Sequence, residues 1–226
     1  MNHSTLAATV LTASLAAPLS AETIESEGVA FAKQTEPRPG TSLQLCSAEL
    51  LRYKVVFRGY VAALYLEDCS LRDDPLADIP KRLELSYFWD IPGEKFGPAG
   101  RDILAKNVSK TELATLTERL DTFDNAYRDI EKGDRYTLTY LPGVGTELAH
   151  NGESLVTVPG ADFGRAYFSI WLGDDPLDQR LCDRLLESPA LTPPVTRVAE
   201  QSTPTAPSSA TGERALAPTP ESPDRR

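Results

Sequence analysis

The chain has 226 residues, 41% of them hydrophobic and 25% charged, which suits one globular domain with tails and a single sizeable core. With 33 acidic residues against 23 basic ones its formal net charge is -10, which argues against nucleic acid or an anionic membrane surface as partner and otherwise reads as solubility. Two histidines, and three cysteines without CxxC spacing, give no support for a His-rich metal site, a zinc site or a thioredoxin-like motif, so neither metal nor cofactor is expected.

Residues 1–21 carry an apolar run from Leu6 to Ala17, then Pro18 and small residues up to Ala21. That pattern predicts a secretory signal peptide and a periplasmic or secreted protein. No later stretch reaches the roughly 18 apolar residues that a transmembrane helix needs. In an oxidising compartment two of Cys46, Cys69 and Cys182 can pair, and the spacing does not choose between them. Residues 22–42 read as a flexible approach segment, polar and broken by Pro37, Pro39 and Gly40, so the folded domain is expected over 43–187.

The stretch Arg52–Asp68, without proline and rich in Val, Tyr and Phe, reads as one long strand. Its odd positions Tyr53, Val55, Phe57, Val61, Ala63 and Tyr65 form an apolar face, while Arg52, Lys54 and Arg58 start the other face before Ala62, Leu64 and Leu66 turn it apolar. A polar connection from Cys69 to Pro80 leads to a second strand, KRLELSYFWD. A short helix is predicted from Lys95 to Lys106. A longer one is signalled by Ser109 and Glu112 as a capping box, with the stripe Leu113, Leu116, Leu120, Phe123, Tyr127 and Ile130. RYTLTYLP, TELAH and SLVTVP then make a meander, with Asn151-Gly152 as its hairpin signal. Asp162 is the expected cap of a helix that buries Phe163, Ala166, Tyr167, Ile170 and Trp171 and ends at Gly173. A last helix uses Leu177, Leu181 and Leu185. Residues 188–226, dominated by Pro, Ser, Thr and Ala, read as a disordered tail.

Strands and helices in this order predict an α+β domain, an antiparallel sheet with a layer of helices on one face. GVGTE at Gly143–Glu147 lies between strands and is a turn rather than a phosphate loop, and no Ser-His-Asp, HExxH or Walker-type pattern is present. The acidic pairs Glu67-Asp68, Asp73-Asp74 and Asp174-Asp175 read as solvated loops and strand ends.

GYVAALYLED, KRLELSYFWDI, KNVSKTEL, GDRYTLTYLPGVGT and above all VPGADFGRAYFSIWLGDDPLDQRLCDRLL resemble the bacterial branch of the chalcone isomerase-like family, in order from Ala48 to Glu187. The resemblance implies an open-faced β-sandwich-like α+β fold with a cleft between sheet and helices. Branches of that family isomerise chalcones, bind fatty acids or are non-catalytic. An arginine in a G-x-G-x-R pattern holds the substrate's negative oxygen in the plant enzymes, and a guanidinium suits that task because it stays charged and forks two donors. The equivalent residue here is Arg52, with Ala48 and Leu50 where the glycines stand. The plant threonines correspond to Tyr60 and Ile170, and the helical asparagine to Asn107, so the proton-handling half of an isomerase site is missing.

The reading that results is an exported protein, non-catalytic toward chalcones, that binds a small apolar anion such as a fatty or aromatic acid. Arg52 would face the carboxylate, with Tyr60, Tyr65, Trp89 and Asn107 around the ligand. Two alternatives stand beside it: an intramolecular lyase acting on another substrate with Arg52 as electrophile, and a structural or partner-binding domain tethered by the tail. Taken singly, Arg52 also fits a strand-end ion pair, Tyr60 and Tyr65 core aromatics, and Asn107 a helix C-terminal residue.

Overall fold

The computed structural model describes residues 22–53 and 56–187, so the expected leader and the Pro-rich tail lie outside the described residues. A small sheet pairs β1 (Thr23–Ser26) with β2 (Val29–Ala32). The main sheet holds β3 (Gln34–Arg38), β4 (Thr41–Tyr53), β5 (Phe57–Leu66), β6 (Lys81–Tyr87), β7 (Arg135–Leu141), β8 (Gly145–His150) and β9 (Glu153–Val158). Its strands are antiparallel throughout and lie side by side in chain order. Helices α1 (Phe96–Asn107), α2 (Lys110–Asp124), α3 (Ala161–Leu172) and α4 (Gln179–Glu187) complete the α+β fold.

Both faces of the sheet are covered. The larger core lies under the helices, where Tyr60, Ala62, Leu64 and Leu66 of β5 meet Leu104, Leu116, Phe163, Tyr167 and Leu185. Opposite it, Phe31 of β2 packs on Leu43, Leu45, Ala48, Leu50, Val61, Ala63 and Tyr65. Side chains of a strand alternate between faces, so β5 feeds one core with its even residues and the other with its odd ones.

Three expectations change here. The segment 22–42 is not a mere approach: it supplies β1, β2 and β3, and Phe31 is fully buried. Strands of four or five residues around the Glu27-Gly28 turn are too short for alternation to stand out from their polar composition. Arg52–Asp68 is not one strand either. Tyr53 pairs with Phe57, so the chain reverses between β4 and β5, and Val, Tyr and Phe around the reversal hid it because no Gly, Asn or Pro marks the turn. Finally, Gly160, at φ 111°, is the N-cap of α3, and Asp162 lies in the first turn.

Elsewhere local chemistry acts as its residue types suggest. Asn151 and Gly152 both take positive φ, as a two-residue hairpin between β8 and β9 requires. Ser109 Oγ accepts from Glu112 N at 3.1 Å, while the Glu112 carboxylate pairs with Arg165 of α3 instead of closing the capping box. Arg119 of α2 forks onto both Asp162 oxygens, at 2.8 and 2.6 Å, which clamps α2 to α3. A disulfide joins Cys46 of β4 to Cys69 in the 3-10 turn Cys69–Asp73, and Cys182 is a free, buried thiol.

Candidate functional site

Between the near ends of β5 and β6 and the helices α1 and α3 lies a cavity of about 600 Å³. That volume is in the usual range for small-molecule sites. Its floor is Tyr60 and Tyr87 of the sheet, its helical walls are Phe96, Ala99 and Gly100 of α1 and Tyr167, Ile170 and Trp171 of α3, and Leu51, Ile91 and Tyr127 close the sides. Space exists partly because Gly100 has no side chain: a Cβ there would stand 3.5 Å from Ile170 Cδ1. Phe57, Trp89 and Leu177 ring the opening, and the Lys95 ammonium lies at its edge, 3.1 Å from Glu94.

Aromatic packing sets the interior. Phe96 stacks on Tyr127 at 4.9 Å, and Tyr87 touches Tyr60 at 5.3 Å and Phe96 at 5.7 Å between ring centroids. The polar groups inside are nearly all hydroxyls. Those of Tyr127 and Tyr167 bond each other at 2.7 Å. Trp171 Nε1 donates to the Tyr60 hydroxyl at 2.9 Å, which leaves the Tyr60 proton without a protein acceptor among the described residues. Tyr87, only 4% exposed, has a hydroxyl with no hydrogen-bond partner among the described residues. Burial pushes the Tyr60, Tyr87, Tyr127 and Tyr167 hydroxyls well above the ordinary tyrosine value, so all four stay protonated at neutral pH. Tyr60 and Tyr87 sit opposite each other in the ladder and offer two O–H donors to one region of the cavity.

The residues singled out from sequence divide sharply. Tyr60 and Trp89 line the cavity; Arg52, Tyr65 and Asn107 do not. Tyr65 is five residues from Tyr60, an odd step along a strand, and its buried hydroxyl lies on the far face near Glu84 and Arg82. Asn107 ends α1 and pins the loop after α3: its Nδ2 donates to Asp175 O at 2.7 Å and its Oδ1 accepts from Asp175 N at 3.0 Å.

Arg58 is placed by a β-bulge in β5, whereas Arg52 follows Leu51 by ordinary alternation. The register passes from Leu51 opposite Tyr60 to Arg52 opposite Arg58, so Gly59 has no partner in β4, although its carbonyl accepts from Phe88 N at 3.1 Å. Beyond the bulge the faces exchange. Phe57 turns into the cavity mouth, while Arg52 and Arg58 turn to the β1–β2 side and share the Glu27 carboxylate at 3.9 and 3.5 Å. The Arg58 guanidinium lies 3.9 Å from the centre of the Phe88 ring, and its carbonyl accepts the Trp89 indole N–H at 2.6 Å. Arg58 itself borders the cavity beside Gly59, but its guanidinium, like that of Arg52, is held toward Glu27. Among the described residues no three His, Cys, Asp or Glu side chains gather as a metal site would need.

Sequence reasoning placed Tyr87 on a strand and Phe96, Tyr127, Tyr167 and Trp171 in helices without assigning them to a site, and Tyr127 lies beyond α2, which ends at Asp124. They come from four separate segments, and only the fold brings them together.

A family model described as chalcone isomerase-like matches residues 23–187. Among solved structures, 37 chains match. One is a crystal structure of a fatty-acid binding protein of Arabidopsis thaliana, with a TM-score of 0.57 and 17% identity, covering 74% of this chain and 96% of that one. At that identity the likeness concerns the fold. No curated protein matches the chain.

Proposed function

The chain belongs to the chalcone isomerase-like family, and on that premise we propose that it is an exported binding protein for a small apolar acid, a fatty or aromatic one, and does not isomerise chalcones. The observation that carries this reading is the aromatic cavity with two unspent tyrosine O–H donors on its floor. The apolar part of the ligand lies between Phe96, Tyr127 and Ile170, where each buried methylene contributes about 0.8 kcal/mol. Its acid oxygen accepts from Tyr60 and Tyr87, and Lys95 supplies charge at the edge. Hydrogen bonds to a charged acceptor are worth about 1.5–3 kcal/mol, against about 0.5–1.5 for a neutral one, so even neutral hydroxyls favour a carboxylate.

The placement of both guanidinium groups on the far side of the sheet supports a non-catalytic reading, because chalcone cyclisation needs a cation at the substrate oxygen and a proton donor in line with the enolate. The fatty-acid binding protein among the solved structures supports the same ligand class. Export is supported by the Cys46–Cys69 disulfide, a bond that persists in oxidising compartments.

Displacement of a fluorescent fatty acid by dodecanoate, together with mass spectrometry of lipids extracted from the purified full chain, tests the proposal. Dodecanoate should displace the probe, and Arg52→Ala should leave its affinity unchanged because Arg52 is turned away from the cavity. Absence of both displacement and a co-purifying apolar acid would overturn it, as would cyclisation of an ortho-hydroxychalcone by the chain.

A further inference from the structure

Six aromatic residues close a ring around the cavity. Tyr60 touches Tyr87 at 5.3 Å between ring centroids, Tyr87 touches Phe96 at 5.7 Å, and Phe96 stacks on Tyr127 at 4.9 Å. The Tyr127 hydroxyl meets that of Tyr167 at 2.7 Å, Tyr167 lies 6.3 Å from Trp171, and Trp171 Nε1 returns to the Tyr60 hydroxyl at 2.9 Å. All six line the same space. In this order the hydroxyls fall into two pairs, Tyr60 with Tyr87 and Tyr127 with Tyr167, parted on one side by Phe96 and on the other by Trp171. The acid group proposed above occupies the first pair and leaves the second without a task.

That second pair does not satisfy itself. Each hydroxyl carries a proton, and the single hydrogen bond between them uses one of the two. The other has no protein acceptor among the described residues. The Tyr167 oxygen stands 3.9 Å from where a Cβ of Gly100 would be, so it borders the gap that the missing side chain leaves in the α1 wall. Packing does not call for these oxygens: Tyr167 lies 4.4 Å from the Phe123 ring and 5.4 Å from that of Phe163, contacts that phenylalanine would make equally well. Water entering an open cavity satisfies such an O–H, whereas an alkyl chain that displaces the water orphans it, which weakens binding by roughly fivefold to a hundredfold. An oxygen on the ligand at that place removes the penalty, and a site built to bond an oxygen discriminates against the analogue that lacks it.

Charge selects the kind of oxygen. Burial above all, and the nearby Asp124 carboxylate, hold both hydroxyls of the pair protonated. The Arg101 guanidinium in that region is taken by Asp124 and Asp121, each at 2.6 Å, so no free cation waits there for a second carboxylate. A neutral oxygen suits the place. We infer that the ligand is an oxygenated apolar acid: a hydroxyl or oxo group along its apolar part is bound by the Tyr127–Tyr167 pair while Tyr60 and Tyr87 hold the carboxylate. This rests on the ligand-binding reading above and narrows its ligand class.

Displacement of a fluorescent fatty acid from the full chain, stripped of ligand, tests this by comparing dodecanoate with its 6-, 8-, 10- and 12-hydroxy derivatives. At least one hydroxy acid should bind about fivefold or more tightly than dodecanoate. The sign is diagnostic, because a hydroxyl weakens entry into a purely apolar cavity. Combining Tyr127→Phe with Tyr167→Phe removes both oxygens and keeps both rings; dodecanoate should then bind about fivefold or more tightly than to the parent, and the preference for the hydroxy acid should vanish. If dodecanoate displaces the probe and no hydroxy acid exceeds it, the inference is overturned while the ligand-binding reading stands; this comparison on the parent chain decides even where the double variant does not fold. A preference that survives in the folded double variant also overturns it, since the hydroxyl is then held elsewhere. If neither dodecanoate nor any hydroxy acid displaces the probe, the ligand-binding reading falls and the inference falls with it.

Discussion

Tyr60 and Tyr87 are neighbours in the sheet, yet replacing each by phenylalanine should have opposite consequences for the empty protein. In Tyr87→Phe the oxygen removed has no hydrogen-bond partner among the described residues, and the ring contacts to Tyr60, Phe96 and Tyr136 at 5.3, 5.7 and 6.2 Å are kept. Unfolding free energy should therefore stay within about 0.5 kcal/mol of the parent or rise. Tyr60→Phe instead strips the acceptor from Trp171 Nε1, 2.9 Å away in a buried setting, and an orphaned buried donor costs about 1–3 kcal/mol. Ligand affinity should respond differently. If the acid oxygen accepts from Tyr87, losing that donor costs about 1.5–3 kcal/mol for dodecanoate, roughly tenfold to a hundredfold weaker binding, and about 0.5–1.5 kcal/mol for neutral dodecanol. Urea unfolding supplies the first comparison and competitive displacement the second. Dodecanoate binding to Tyr87→Phe at parental strength would refute the assignment of Tyr87, and a destabilisation matching that of Tyr60→Phe would refute the view that its hydroxyl is unspent.

Further outcomes follow from other parts of the molecule. Gly100→Leu places its first side-chain carbon at ordinary contact distance from Ile170 and improves an α-helical position by up to about 1 kcal/mol, so thermal stability should hold or rise while displacement by dodecanoate disappears. The Cys46–Cys69 bridge spans a sequence separation of 23, for which chain entropy gives about 3 kcal/mol; reduction, or Cys46→Ala with Cys69→Ala, should lower the urea midpoint accordingly. Lys81 is buried with its ammonium donating to Ala77 O near the Tyr140 ring, and burial lowers its pKa to about 8 although Asp78 and Asp74 oppose this. Between about pH 8 and 9 the unfolded chain then holds the extra proton, so stability should rise with pH by on the order of 1 kcal/mol per unit, until the Cys182 thiol, whose pKa burial raises to about 11 in the fold, ionises in the unfolded chain and offsets the rise. Lys81→Met should flatten that rise in urea titrations taken across the same window.

Much of the fold was written in local sequence. β6 through β9 and all four helices follow from alternation, the Asn151-Gly152 turn, the Ser109 cap and the apolar stripes, although α2 stops at Asp124, short of Tyr127 and Ile130, and α4 begins after Leu177. The β1–β2 layer escaped because its stability comes from Phe31 packing on β4 and β5, a contact that no local pattern announces. Parity also carried unused information: Tyr60 and Tyr65, an odd step apart, could never face one cleft. Asn107 shows the opposite limit, because its partner Asp175 lies in a loop whose approach depends on how α3 packs.

The decisive point for function is a single residue with no side chain. On a regular strand Arg58, two positions before Tyr60, would share its face and place a guanidinium in the cavity, where it could hold an oxyanion. Gly59, left unpaired, rotates the strand by one position, so Phe57 takes the mouth and Arg58 is delivered to Glu27 and Phe88. A Cβ at Gly59 would stand 3.4 Å from Leu51 O, so the bulge lies close against β4, where the absence of a side chain costs least. The same step that removes the cation from the interior brings Arg58 beside Arg52 at the Glu27 carboxylate. One bulge thereby leaves the cavity with neutral hydroxyl donors in place of a guanidinium, which is why its ligand chemistry is read from Tyr60 and Tyr87.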